Sequence, residues 1–155
     1  MEHMFHIAHP GTFASLFVFN TLLIVSTVAL HYEAIHWLAF NECLRRLSPR
    51  STILVSLLVL ILCHCAEVWI WAFGYAVLDY LPNAGSFVGS HDRHLLDHVY
   101  FSFTSYTTVG FGDIAPTGHI RFTSSMESLI GLILIAWSAS YLLFVMQKLW
   151  GTGRH

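Results

Sequence analysis

The chain has 155 residues, of which 55% are hydrophobic and only 10% charged, whereas a soluble domain carries about 25% charged residues. That apolar excess is too large for one globular core and reads as membrane-embedded. The net charge of −2, the scattered 7 Lys and Arg and the 3 cysteines exclude a basic nucleic-acid-binding surface and a disulfide framework.

The N-terminus, "MEHMFHIAHPG", has no Lys or Arg, and the apolar run after it is too long for a signal-peptide core, so no cleaved signal is expected. The first predicted span runs from Thr12 to Leu30 and continues as an amphipathic stretch, "HYEAIHWLAFNECL", with His36 and Trp37 suited to an interface. The span has no Arg or Lys ladder, so it is not a voltage sensor. It is expected to pack outside the remaining spans, with Asn20 hydrogen-bonded to a neighbouring helix. Arg45, Arg46 and Arg50 follow in a basic connection.

The second span runs from Thr52 to Tyr80 and carries Glu67 near its middle. A charge buried there is costly, so this carboxyl is expected to be protonated or paired. His64 lies one turn earlier on the same face. The pair reads either as a structural contact or as a hydrogen-bonded link to the inner helix that biases gating. "CHC", residues 63 to 65, offers thiols and an imidazole, but consecutive residues radiate around a helix, so no metal site is expected.

A loop, "LPNAGSFVGS", comes next, marked by its Pro, Gly, Asn and Ser. "HLLDHVYFSFTSYTT" then reads as a helix of about 13 residues, too short to span. It leads into "TTVGFGD", residues 107 to 113, and on to a third span, Phe122 to Met146. Non-helical backbone survives at membrane depth only inside protein or around a water-filled path. Gly110 and Gly112 can take positive φ without a Cβ clash, so successive carbonyls can face one path. Val109 and Phe111 would pack outward, and the Thr108 hydroxyl would add an inner ligand. The C-terminal end of the short helix carries a partial negative charge that favours a cation.

"TTVGFGD" resembles the selectivity filter of potassium channels, with Phe111 in place of the usual tyrosine. The resemblance extends through "YFSFTSYTTVGFGDIAPTGHIRF" and covers about residues 52–149. It implies an all-α membrane protein with three transmembrane helices, a re-entrant pore helix and a filter loop, assembled as a homotetramer around potassium ions. Thr108, Val109, Gly110, Phe111, Gly112 and Asp113 would form the ion path, with potassium at the first four. Gly131 falls near the hinge glycine of the family's inner helix. Helical spacing then makes Leu132, Ile135 and Ala139 cavity-lining, and Leu143 and Gln147 candidates for an inner constriction. Glu127, about two turns into the third span, would either anchor the filter loop or meet lipid. One departure concerns the pore helix: where several family members carry a glutamate that meets the filter aspartate, this chain has Thr104.

The chain thus divides into an extra N-terminal helix with its basic connection (1–50), a pore domain (51–149) and a short tail (150–155), with no cytoplasmic ligand domain expected. Five of the 7 basic residues fall on the side of the 45–50 connection and the tail. The positive-inside rule therefore places the N-terminus outside and the C-terminus in the cytoplasm, in the plasma membrane. His91, His94 and His98, beside Asp97, form a candidate outer pH sensor, and His3, His6 and His9 repeat the spacing. No cofactor and no enzymatic activity are expected, since no nucleophile–base arrangement is visible. The expected partners are lipids, potassium and further copies of the chain. The function read is a passive potassium-selective channel. The alternatives are a weakly selective cation channel, a potassium transporter subunit, or a histidine- and cysteine-based membrane metalloprotein or redox enzyme.

Overall fold

A computed structural model describes residues 10–82, 84–90 and 94–151. Three long helices dominate it: α1 (Pro10–Phe40), α3 (Pro49–Tyr80) and α5 (Ile120–Gly151). With 31 or 32 residues each, they run to about 46–48 Å at a rise of about 1.5 Å per residue. That exceeds the roughly 30 Å hydrocarbon thickness of a bilayer. All three are apolar enough to cross a membrane.

The first span and its amphipathic continuation form one helix, because no Gly or Pro interrupts residues 12 to 40. Asn41 stops α1 and caps the short α2 (Glu42–Arg45), its side-chain oxygen accepting from the Cys43 N–H at 2.9 Å. Ser48 caps α3, accepting from the Ser51 N–H at 3.3 Å, and Pro49 occupies the first turn, where its missing donor costs nothing.

Between α3 and α5 lie β1 (Phe87–Gly89), α4 (Leu95–Tyr106) and β2 (Ile114–Pro116). α4 is the expected short helix. β1 and β2 pair antiparallel, with Val88 opposite Ala115. This strand pair falls where the sequence reads as loop. Three residues are too few to show an alternating pattern.

The main core packs α3 against α4 around Trp71, Tyr75, Phe87, Phe101 and Tyr106, and Leu16, Phe19, Leu23 and Ile24 of α1 cover it from one side. A second cluster joins Leu38, Leu44 and Leu60 near the basic connection. α1 contacts both α3 and α5. Asn20 is buried, but its amide donates to the Leu16 carbonyl of its own helix at 2.8 Å, so the expected bond to a neighbouring helix is not made.

Candidate functional site

α4 ends at Tyr106 and the chain folds back against it. The Thr108 N–H donates to the Ser105 carbonyl at 3.0 Å, and the Gly110 N–H to the Thr104 carbonyl at 3.1 Å. Three alternate residues then take left-handed backbone: Thr108 at φ 60°, Gly110 at 54° and Gly112 at 81°. The two glycines behave as their type predicts. Thr108 is the unforeseen member, because a β-branched residue is strained there by about 1–3 kcal/mol. In an ordinary strand, successive carbonyls point to opposite sides. Inverting every second residue turns them toward a common side, the arrangement a carbonyl-lined path requires.

Residues 107–113 are all exposed in the single chain, Val109 by 55% and Phe111 by 70%. The Phe111 ring stacks on Tyr100, with centroids 6.4 Å apart and planes 7° from parallel. The Tyr100 hydroxyl donates to Asp113 Oδ2 at 2.8 Å. That hydrogen bond to the carboxylate raises the phenol pKa above its ordinary value. Thr104, in contrast, donates to the Phe101 carbonyl of its own helix. Tyr100, one turn earlier on the same face, therefore supplies the partner that Thr104 does not. Sequence reasoning missed it, although the i, i+4 spacing to Thr104 is visible. The outer end of the loop is pinned by the Ser90 N–H, which donates to the Asp113 carbonyl at 2.9 Å.

Behind the loop, Glu127 is fully buried. It accepts from the Ser102 hydroxyl at 2.5 Å and from the Tyr75 hydroxyl. It thereby joins α3, α4 and α5. Ser128 adds a bond to the Ser105 carbonyl at 2.9 Å. α5 runs unbroken through Gly131, and a Cβ there would run into the Tyr106 carbonyl. The glycine is thus a point of close approach to the pore helix, where the resemblance implies a hinge. Leu132, Ile135, Ala139, Leu143 and Gln147 are exposed, on a face turned away from the buried stripe of Glu127, Gly131, Leu134 and Ser138.

The expected Glu67–His64 pair forms, at 3.0 Å, and is one part of a larger network. Glu67 also meets His31 Nδ1 at 2.8 Å, the Cys63 thiol at 3.3 Å and the Tyr106 hydroxyl. His64 Nε2 lies 3.0 Å from Ser138 Oγ, which is the link to α5 that one reading of the pair required. His31 was not singled out from the sequence. Its signal is a polar stripe on α1, since Asn20, Thr27 and His31 are spaced by seven and four and all three are buried.

The outer histidines do not form one surface set. His94 is exposed, whereas His98 is 1% exposed, with Nε2 3.4 Å from Asp79 and its ring against Phe87. His98 sits on the inward face of an amphipathic helix, and the i, i+4 spacing from His94 does not bring it to the surface. His3, His6, His9 and His91 lie outside the described residues.

A family model described as "Ion channel" matches residues 54–148, from the second turn of α3 to the last turns of α5. The chain is also 29% identical over 119 residues to "Protein LctB" of Geobacillus stearothermophilus, an alignment covering 73% of this chain and 85% of that protein. No solved structure matches.

Proposed function

The chain belongs to this ion-channel family, and we propose that it is a potassium-selective channel conducting passively through the 107–113 loop. The observation that carries this reading is the alternation of left-handed backbone at Thr108, Gly110 and Gly112 directly after a short, non-spanning helix. The carbonyls of Thr108, Val109, Gly110 and Phe111, with the Thr108 hydroxyl, replace the water shell of a dehydrated potassium ion. Gly112 and Asp113 form the outer end. The C-terminus of α4 turns its partial negative charge toward the inner end of that path.

One chain supplies one wall. The exposed loop residues and the exposed face at Leu132, Ile135 and Ala139 are covered when copies of the chain close around a common axis as a homotetramer. Irregular backbone at this depth requires such cover. α1 presents no basic ladder among its described residues, so it does not serve as a voltage sensor. The excess of basic residues in the 45–50 connection and the tail supports a cytoplasmic position for that side, with the loop outside, in a plasma membrane.

The test is flux from liposomes holding the purified protein under a potassium gradient, followed by the same gradient in sodium. A voltage that follows the potassium gradient and collapses in sodium supports the reading. Equal flux of both ions makes the protein a weakly selective cation channel instead.

A further inference from the structure

Among the described residues, one group of histidine, cysteine and acidic side chains converges as metal ligands do: His31 of α1 with Cys63 and Glu67 of α3. All three are buried. One donor atom from each lies within 4.8 Å of the others. His31 Nδ1 and the Cys63 sulfur approach the same carboxylate oxygen, at 2.8 and 3.3 Å. A tetrahedral zinc ion with bonds of about 2.0–2.3 Å holds its ligands about 3.3–3.7 Å apart. An opening of less than about 1 Å therefore turns this cluster into a coordination shell. Cys63 and Glu67 are four apart on one helical face, the spacing that consecutive Cys63, His64 and Cys65 lack. The third ligand comes from another helix, which is why the sequence alone did not reveal the site. His64 stands beside this group, with Nδ1 3.0 Å from the other carboxylate oxygen, Glu67 Oε2, and its ring 5.2 Å from that of His31.

We propose that His31, Cys63 and Glu67 form a divalent transition-metal site, filled by Zn2+, that fastens α1 to the pore module, and that His64 turns in as the fourth ligand when the ion binds.

Charge balance selects the ion. A cysteine thiolate and a glutamate carboxylate carry two negative charges, and two neutral imidazoles add none. A divalent ion makes the buried site neutral, which a low-dielectric interior tolerates, whereas Cu+ leaves a net negative charge there. Magnesium and calcium require oxygen ligands, which this mixed nitrogen, sulfur and oxygen set does not supply. On binding, the metal replaces the Cys63 thiol proton, which leaves to solvent, and takes His31 Nδ1, so that the ring proton is carried on Nε2, 3.3 Å from Ser138 Oγ. The Tyr106 hydroxyl bonds to the same carboxylate, so occupancy of the site reaches the last residue of α4.

The experiment uses the full chain without a histidine tag, purified in detergent and titrated with Zn2+ against a chromogenic chelator, then with Co2+ as a spectroscopic substitute. The expected result is one ion per chain, with a sulfur-to-cobalt charge-transfer band. Loss of an outer-shell partner already costs about 10–100-fold in affinity, so C63S and H31Q should each weaken Zn2+ binding by at least about a hundredfold. C65S should leave it unchanged. No saturable Zn2+ binding, a cobalt spectrum without the sulfur band, or wild-type affinity in C63S overturns the proposal. If C63S fails to assemble, the wild-type protein provides the test through alkylation of its thiols. Zn2+ should protect Cys63 from a membrane-permeant maleimide and leave Cys65 reactive, and an unprotected Cys63 overturns the site.

Discussion

Gly131→Ala separates two roles for the inner-helix glycine. As a hinge, Gly131 would be replaced by alanine at a gain of about 1 kcal/mol in helix propensity, and only gating would change. As a contact point, it has no room for a side chain. The added Cβ would stand 3.0 Å from both the Tyr106 carbonyl carbon and its ring Cγ, and nearer still to the carbonyl oxygen. Comfortable contact begins at about 3.5 Å. The obstruction is backbone at the end of α4, which no rotamer change can move aside, and Tyr106 is itself buried and bonded to Glu67. Overpacking of this kind costs about 1–3 kcal/mol. The propensity gain offsets part of that, leaving a net loss of up to about 2 kcal/mol. The same displacement is delivered to Thr107 and Thr108, at the start of the 107–113 loop. Thermal unfolding of the detergent-solubilised protein should therefore shift down by several degrees, and potassium flux from liposomes should fall with it. A G131A protein at least as stable as the wild type, with full flux, would refute the contact reading.

Further substitutions probe the loop and its supports. Gly110→Ala should abolish potassium flux while the protein still assembles: an added Cβ meets nothing within 4 Å in the chain, so the cost lies in the left-handed backbone, about 1–2 kcal/mol, and undiminished flux would remove Gly110 from the ion path. Tyr100→Phe keeps the stack on Phe111 but removes the hydrogen bond to Asp113, so single-channel recordings should show shorter conducting bursts at unchanged protein yield. Glu127→Gln keeps an acceptor for one of the Ser102 and Tyr75 hydroxyls and should be tolerated. Glu127→Ala strands the buried Tyr75 hydroxyl at about 1–3 kcal/mol, while Ser102 keeps the Val68 carbonyl as acceptor, and the yield of assembled protein, read by size-exclusion chromatography, should drop.

Legibility in the sequence followed the range of the interactions. The three long helices and α4 show as runs of apolar residues whose lengths a bilayer dictates. The left-handed positions at Gly110 and Gly112 follow from residue type. Thr108 adopts the same conformation against its intrinsic preference, and only the surrounding fold imposes that. The β1–β2 pair is held by the return of the chain after the loop, and three-residue strands carry no periodic signal. His98 reads as a surface residue because helical spacing relates it to His94, but it faces Asp79 of α3. His31 and Glu67 are 36 residues apart, so no local pattern joins them. The polar stripe on α1 announces that this face is buried, without saying against what.

The position of the pore helix is set by two carboxyl groups that it does not itself carry. Ser102 and Tyr106 lie four apart on one face of α4, and each gives its hydroxyl proton to a buried glutamate, Ser102 to Glu127 of α5 and Tyr106 to Glu67 of α3. Two such anchors one turn apart resist both sliding and rotation of a short helix, which has few turns with which to hold itself. The anchors differ in what else they touch. Glu127 is confined to the pore module, where Tyr75 completes its partners. Glu67 is shared with His31. A movement of α1 that displaces His31 therefore changes the acceptor of Tyr106 and leaves the Glu127 anchor in place. This asymmetry links α1, through one carboxyl group, to the last residue of α4, directly before the 107–113 loop.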